Sequence, residues 1–250
     1  MTSSASTSPL GDRISVCMAT YNGEKYLVEQ IDSILAQLKP GDELVVSDDG
    51  STDSTKVILR GFGDSLRLVG ETRAGGVVAN FSRALEHARG DLILLADQDD
   101  VWLPGRVDLF RAELTRHDLI LSNAVVVDEN LRPIGTTLFD QTRPTLGFWR
   151  NLYRNSFVGC CMGFRRSLLR FALPLPSVTP WHDWLLGLLF CLRGSTVQVH
   201  IPLLLYRRHG ANASLTGEAS TNGIVRKAKL RWMMLRALAI CLLRRSRADR

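Results

Sequence analysis

The sequence predicts an α/β fold built on a mostly parallel, doubly wound sheet, and three observations carry that prediction. Short apolar runs of strand length recur along residues 14–127, separated by segments whose apolar residues fall at helical spacing. That alternation is the pattern of parallel strands joined by right-handed helical crossovers. In addition, three of the runs end in polar turn clusters, at residues 20–23, 48–51 and 97–100. In such a topology all three clusters open on the C-terminal edge of the sheet, where open α/β sheets take their ligands.

Taken in order, residues 14–18 (Ile-Ser-Val-Cys-Met) read as a first strand and 20–23 (Thr-Tyr-Asn-Gly) as the tight turn after it. Residues 26–38 place Leu27, Ile31, Ile34, Leu35 and Leu38 at helical spacing and stop at Pro40-Gly41. Residues 43–47 form a second strand ending in Asp48-Asp49-Gly50-Ser51, and a helix capped by Ser51 or Thr52 follows, to about Phe62. A short strand at 66–69 and a helix at 77–88 come next. Residues 91–96 are a central strand, because an unbroken apolar run of this length fits burial on both faces. A helix over 104–116 carries Pro104 in its first turn, where the missing N–H costs nothing, and 119–127 is a further strand.

The second half is less regular. Residues 130–147 read as loop or hairpin, and the small, apolar run Gly159-Cys160-Cys161-Met162-Gly163 implies backbone packed closely on a neighbour. Pro174, Pro176 and Pro180 mark a stiff loop before an apolar helix over 181–192, and two short strands follow at 197–200 and 203–206. The domain plan is a disordered Ser/Thr-rich leader (1–10), one domain (11–215) with halves at 11–128 and 129–215, and a basic amphipathic C-terminal helix (216–250). The leader lacks the basic start and apolar core of a signal peptide.

Composition narrows the class. The chain has 250 residues, 45% hydrophobic and 22% charged, which is ordinary globular usage. Its five cysteines have no metal-type spacing and read as buried thiols in a reducing, cytoplasmic compartment. The net charge of +6 is unevenly spread: residues 224–250 hold nine Lys or Arg against one Asp, so the rest of the chain is slightly acidic. A nucleic-acid partner is therefore excluded as the source of the high pI.

The chemistry centres on residues 92–104, where five apolar residues run into Asp97-Gln98-Asp99-Asp100-Val101-Trp102-Leu103-Pro104. Three carboxylates this close repel one another and call for a cation, and a hard Mg2+ or Mn2+ already bound to phosphate suits them. A solvated acidic turn with an Asp capping the next helix is the competing reading.

The motifs at 19–23 (Ala-Thr-Tyr-Asn-Gly), 46–53 (Val-Ser-Asp-Asp-Gly-Ser-Thr-Asp) and 96–104 together resemble family 2 glycosyltransferases of the GT-A fold, a Rossmann-like sheet with a smaller acceptor-side region. The resemblance covers roughly residues 13–212 with the motifs in the family's order. The later pieces, at 159–164, 182–185 (His-Asp-Trp-Leu) and 206–212 (Tyr-Arg-Arg-His-Gly-Ala-Asn), are similar to the rhamnosyltransferase-like branch that builds bacterial surface polysaccharide such as O-antigen.

The resemblance implies an inverting transfer from a nucleoside-diphosphate sugar, dTDP-rhamnose as the first guess, to a glycan or lipid-linked acceptor. Asp99 would be the metal carboxylate, with His209 a further ligand, and Asp100 would support the metal from behind. Asp97 would lie near the donor ribose or sugar. Asp48 would contact the base with Asp49 beside it, and Thr20, Tyr21 and Asn22 would line the nucleotide pocket. Asp49 and Asn22 equally suit turn-stabilising roles. Arg207 and Arg208 would close over the diphosphate, and Trp102 would stack on sugar, whereas Trp184 is better placed in a core. Asp183 is the general base, kept ionised by a helix N-terminus, and its competing reading is a helix cap. Many members of the family have Glu-Asp where this chain has His182-Asp183, which leaves His182 as a further participant.

Two other enzyme classes lack their signatures. There is no Gly-rich loop with a Lys after the first strand, as a nucleotidyltransferase needs, and Gly61-Phe62-Gly63 precedes the third strand without completing a dinucleotide fingerprint. Two alternatives stay open: a relative using a UDP-hexose, and a non-catalytic nucleotide-sugar-binding protein. The apolar part of the tail, 232–243, makes a helix of about 18 Å, short of the roughly 30 Å of a bilayer core. It therefore lies on an anionic membrane surface, on the inner face of the cytoplasmic membrane, or packs on the domain or a second copy in a homo-oligomer.

Overall fold

The computed structural model describes residues 11–210 and 223–248; the expected leader and the end of the 206–212 motif lie outside the described residues. Along the chain run β1 (Ile14–Thr20), α1 (Leu27–Leu35), β2 (Glu43–Asp48), α2 (Thr55–Gly61), β3 (Arg67–Gly70), α3 (Val77–His87), β4 (Leu92–Ala96), β5 (Val101–Trp102) and α4 (Arg106–Glu113). Then come β6 (Leu119–Val127), β7 (Pro133–Thr137), α5 (Leu138–Thr142), α6 (Phe148–Tyr153), β8 (Met162–Arg165), α7 (Leu169–Ala172), α8 (His182–Arg193), β9 (Thr196–Arg207) and α9 (Ile224–Ala248).

These strands form one mixed sheet in the order β3-β2-β1-β4-β8-β6-β9-β5, with β7 paired to β6. The first four are mutually parallel, and β6 and β9 share their direction, so the sheet is mainly parallel as expected. β8 enters antiparallel between β4 and β6, and β5 antiparallel beside β9. All five residues of β4 are buried, in keeping with its central place. Each buried Leu or Ile there contributes about 1.5–3 kcal/mol, and the core they join reaches from β3 to α9.

The small run at 159–163 is packed as tightly as its composition implies. A Cβ on Gly163 would stand 2.3 Å from Cδ1 of the Phe110 ring, and one on Gly159 would stand 3.0 Å from His182 Nε2. The five cysteines are all free thiols, four of them buried.

Several boundaries differ from expectation for identifiable reasons. Ser51 and Thr52 do not cap α2; Ser54 is its N-cap, because the Ser51 hydroxyl bonds Asp48 instead. α4 begins at Arg106 after Gly105 in the left-handed region (φ 83°), so Pro104 precedes the helix rather than occupying its first turn. Residues 130–147 hold a hairpin strand and one short helix, α5, which carries a Thr137/Asp140 capping box, and α6 begins just beyond them at Phe148. The two strands expected at 197–206 are one, bent by register shifts in its pairing with β6. α9 has 25 residues, twice the expected apolar stretch, because basic residues extend it at both ends. Among the described residues no helix is long and apolar enough to cross a membrane.

Candidate active site

Parallel pairing of β1 with β2 and β4 sets the three polar loops side by side, and side chains stitch them together. The Gln98 carboxamide accepts from Tyr21 N–H (2.8 Å) and donates to Tyr21 O (3.0 Å), tying the first loop to the acidic one. Asn22, at φ 47°, donates its N–H to Ser51 Oγ and accepts from Thr52 N–H, tying the first loop to the second. Asn80 of α3 adds a bond to Thr20 O.

The expected nucleotide-pocket residues divide accordingly. Tyr21 is 55% exposed at the rim, with a ring free to meet a planar ligand. Asp48 is fully buried and accepts from Thr20 Oγ1 (2.9 Å), Ser51 N–H (2.8 Å) and Ser51 Oγ. Its carboxylate and the buried Thr20 hydroxyl thus hold the loop together beside the Tyr21 rim. Asp49 accepts backbone N–H groups from Ala74, Gly75 and Gly76, and Asn22 bonds the next loop, so both take the turn-stabilising role.

The acidic loop is the focus. β5 pairs with β9 in the register Val101↔Leu205 and Trp102↔Leu204, which carries the end of β9 onto residues 99 and 100. There His209 Nε2 stands 2.8 Å from Asp99 Oδ2, while Asp100 Oδ1 accepts from Arg207 N–H at 3.0 Å. Asp97 faces both Asp99 and Asp183 closely enough to feel their charge. Burial first, and those two carboxylates second, push Asp97 up to about 7. Asp100 is driven well above the carboxylate range by burial and then by Asp99 and Asp97. Asp183 rises to about 6, because burial outweighs the N–H groups of Trp184 and Gly159 that favour its ionised form. The helix N-terminus was expected to hold Asp183 low; desolvation wins instead.

This donor set suits a hard divalent cation. Asp97 and Asp100 bring carboxylate oxygens within 4.8 Å of one another beside the Asp99–His209 pair, Asp100 Oδ2 is buried with no hydrogen-bond partner, and burial with crowding raises the proton affinity of Asp97 and Asp100. The Cys160 thiol lies within 4.8 Å of the Asp97 and Asp100 oxygens, closing the site from behind.

Two other expectations are corrected by burial. Arg207 is buried, its guanidinium bonding Asp99 O, Glu129 O and the Glu29 carboxylate, and it lies 4.4 Å over the Tyr26 ring. It therefore fixes the loop from within rather than closing over a diphosphate; Arg208, partly exposed beside Gln141, stays at the rim. Trp102 is buried under the Arg106 guanidinium, 4.6 Å away, and has no face open to sugar. Trp184 is in the core as expected, donating Nε1–H to Asn151 O. His182 stacks on Phe81 with centroids 3.9 Å apart, and burial lowers it to about 3, so it is neutral at ordinary pH.

Glu29, Tyr26, Gln98 and Cys160 were not singled out from sequence for this site. Gln98 sits inside the acidic motif and Cys160 inside the small-residue run, whereas Glu29 and Tyr26 belong to no motif, because only the fold brings α1 against the end of β9.

Comparison with known proteins gives the family and the fold. The family model for glycosyl transferase family 2 matches residues 15–171. A dTDP-rhamnosyl transferase, RfbG of Shigella flexneri, is 28% identical over 234 residues, covering 84% of this chain and 79% of that protein. Staphylococcus aureus TarS in complex with UDP-GlcNAc superimposes with a TM-score of 0.67 at 23% identity, over 92% of this chain and 66% of that one. Glucosyl-3-phosphoglycerate synthase of Mycobacterium tuberculosis, in complex with Mn2+, UDP and glucosyl-3-phosphoglycerate, gives a TM-score of 0.56 at 22% identity, over 93% and 79%. Those two likenesses show the fold, the GT-A arrangement. Against three other curated relatives the chain spans 69%, 45% and 68% of their length.

Proposed function

The chain belongs to glycosyl transferase family 2, and from that premise we propose an inverting, metal-dependent transferase acting on a nucleoside-diphosphate sugar. The observation that carries this reading is the Asp99–His209 contact at the C-terminal edge of the sheet, beside Asp97, whose carboxyl feels the charge of both Asp99 and Asp183. In it Asp99 and His209 would hold a Mg2+ or Mn2+, with Asp100 behind them, and the bound ion would supply positive charge to offset the leaving diphosphate. Tyr21 packs on the base from the rim and Arg208 reaches toward the phosphates. Asp97 takes a hydroxyl of the donor.

Asp183 accepts the proton of the acceptor hydroxyl as its oxygen bonds the anomeric carbon. The bond from that carbon to the phosphate oxygen breaks, and its electron pair leaves with the nucleoside diphosphate. A single base and no protein nucleophile give inversion. A carboxylate titrating at about 6 is mostly ionised at neutral pH yet basic enough to take a proton.

The first donor proposed is dTDP-rhamnose, supported by the likeness to RfbG over most of both chains. A UDP-hexose donor is the second reading, favoured by the likeness to TarS, which was solved with UDP-GlcNAc. The acceptor proposed is a glycan or lipid-linked glycan of surface polysaccharide, met at the inner face of the cytoplasmic membrane with α9 toward the lipid. The domain division at 11–215 and 216–250 belongs to this same proposal.

The test is release of nucleoside diphosphate from dTDP-, UDP- and GDP-sugars, with Mn2+ or with EDTA, for the wild type and Asp99→Ala. Slow hydrolysis of one donor, abolished by EDTA and in the variant, is the expected result. Turnover that survives EDTA would overturn the metal assignment, and binding of no nucleotide at all would overturn the donor class.

A further inference from the structure

Two elements outside the carboxylate cluster share an unusual surface. α6 exposes Trp149 (78%) and Tyr153 (74%), one helical turn apart and so on one face, and α9 exposes Trp232 (63%). Arg231 joins them: its guanidinium donates to Tyr153 O and lies 4.9 Å over the Tyr153 ring, and Trp232 is the next residue. Below this corner α9 is anchored by Met234, Ala237, Leu238 and Cys241, all buried, so the exposed face is presented by a docked helix.

The charge of the corner has one sign. Exposed Arg150 and Arg154 flank the aromatics on α6, and exposed Lys229 and Arg236, three residues before and four after, flank Trp232 on α9. Neither 148–155 nor 224–248 contains an Asp or Glu. Large aromatics left in water at this exposure are unusual for a surface with no apolar partner. Trp and Tyr amid basic side chains are instead the set that settles at a headgroup boundary, the rings at the level of the headgroups and the cations on anionic phosphate.

We propose that α6 and α9 together form one interfacial docking face for an anionic lipid bilayer, with Trp149, Tyr153 and Trp232 as its aromatic anchors. It deepens the membrane part of the reading above by making α6 a second contact, so that the face is wider than one helix. It rests on no catalytic role, and its test reads binding without turnover, so failure here leaves the transferase assignment standing.

The test is flotation of the full chain with vesicles of phosphatidylcholine alone and of three parts phosphatidylcholine to one part phosphatidylglycerol, in low and high salt. The variants are Trp149→Ser, Trp232→Ser and Lys229→Glu/Arg236→Glu, each checked for an unchanged melting temperature. The wild type floats with the anionic vesicles only, salt weakens it, the double charge reversal loses about tenfold or more in partition, and Trp149→Ser weakens it as Trp232→Ser does. Flotation unaffected by charge reversal, or no flotation of the wild type, overturns the proposal. Trp149→Ser binding like the wild type overturns the part of α6. A solution dimer that Trp232→Ser dissociates would hand the face to a second copy and overturn it equally.

Discussion

His209 Nε2 and Asp99 Oδ2 stand 2.8 Å apart although 110 positions separate them in the chain. The short β5–β9 ladder makes this meeting, because it lays the end of β9 alongside the acidic loop. A carboxylate and an imidazole so placed, beside further carboxylates, offer two donors to one hard cation. His209→Ala is therefore expected to raise the Mn2+ concentration for half-maximal nucleotide release by at least about tenfold, with KM for donor at saturating Mn2+ changing less. A Mn2+ titration of the variant that overlays the wild type would remove His209 from the metal site.

The pH profile follows from Asp183. Its folded value lies at about 6, raised by burial, and the proposed base works only when ionised. kcat/KM should thus fall as the pH drops below that value, by about tenfold per pH unit. Asp183→Asn should lower kcat by about 100-fold or more and abolish the acid limb. Retention of the limb in Asp183→Asn would assign it to another group.

How much of this was legible in the sequence depends on whether a feature is local. The strands from β1 to β4 and the loops they end in were readable because each is a contiguous apolar run closed by turn residues, and parallel topology then places the loops together. Asp97, Asp99 and Asp183 were named for the same reason, as polar residues in local motifs. The partners of Asp48, Arg207 and Trp102 were not readable. Whether a carboxylate bonds a neighbouring Ser51 hydroxyl, or an Arg reaches outward or onto Glu29 and Tyr26, depends on the depth of the side chain in the packed structure. The antiparallel insertion of β8 was equally hidden, since a four-residue strand carries no direction in its composition.

Asp97 ties the site to stability. Its folded value of about 7 lies above the 3.8 of an ordinary Asp, so the folded state binds the proton more tightly than the unfolded one. The stabilisation is fully present below the unfolded value and is lost as pH rises through about 7. Asp97→Asn should therefore raise the melting temperature in EDTA by several degrees under mildly alkaline conditions and hardly at all in acid, while activity falls. A gain of equal size at both pH values would show that charge is not its source.

The Arg207–Glu29 pair should prove asymmetric. Arg207 is buried and bonds two backbone carbonyls as well as Glu29, whereas the Glu29 side chain is half exposed. Glu29→Gln is expected to cost about 0–1 kcal/mol, as screened surface pairs do. Arg207→Met should cost about 2–4 kcal/mol in urea unfolding, because it strands buried carbonyl oxygens and frees the loop under Asp99. Equal costs would mean that the ion pair, rather than the carbonyl bonds, holds Arg207.

The last prediction concerns the strand that closes the site from below. In β8, Gly163 pairs with Leu94 of β4 and Ile120 of β6, and a Cβ there would fall 2.3 Å from Cδ1 of Phe110, which is itself fully buried on α4. The ring cannot swing into solvent, so Gly163→Ala must displace α4 or bow β8 away from β4. Overpacking of this kind costs about 1–3 kcal/mol. β8 continues from the 159–161 turn that holds Cys160 beside Asp97 and Asp100, so the variant should also weaken Mn2+ dependence and not stability alone. Phe110→Leu shortens the obstructing ring, and in the double variant it should restore part of the stability that Gly163→Ala removes. A double-mutant cycle in urea should therefore show coupling of about 1 kcal/mol or more. Strict additivity would mean that the steric contact between residues 163 and 110 is not what keeps a glycine in this strand.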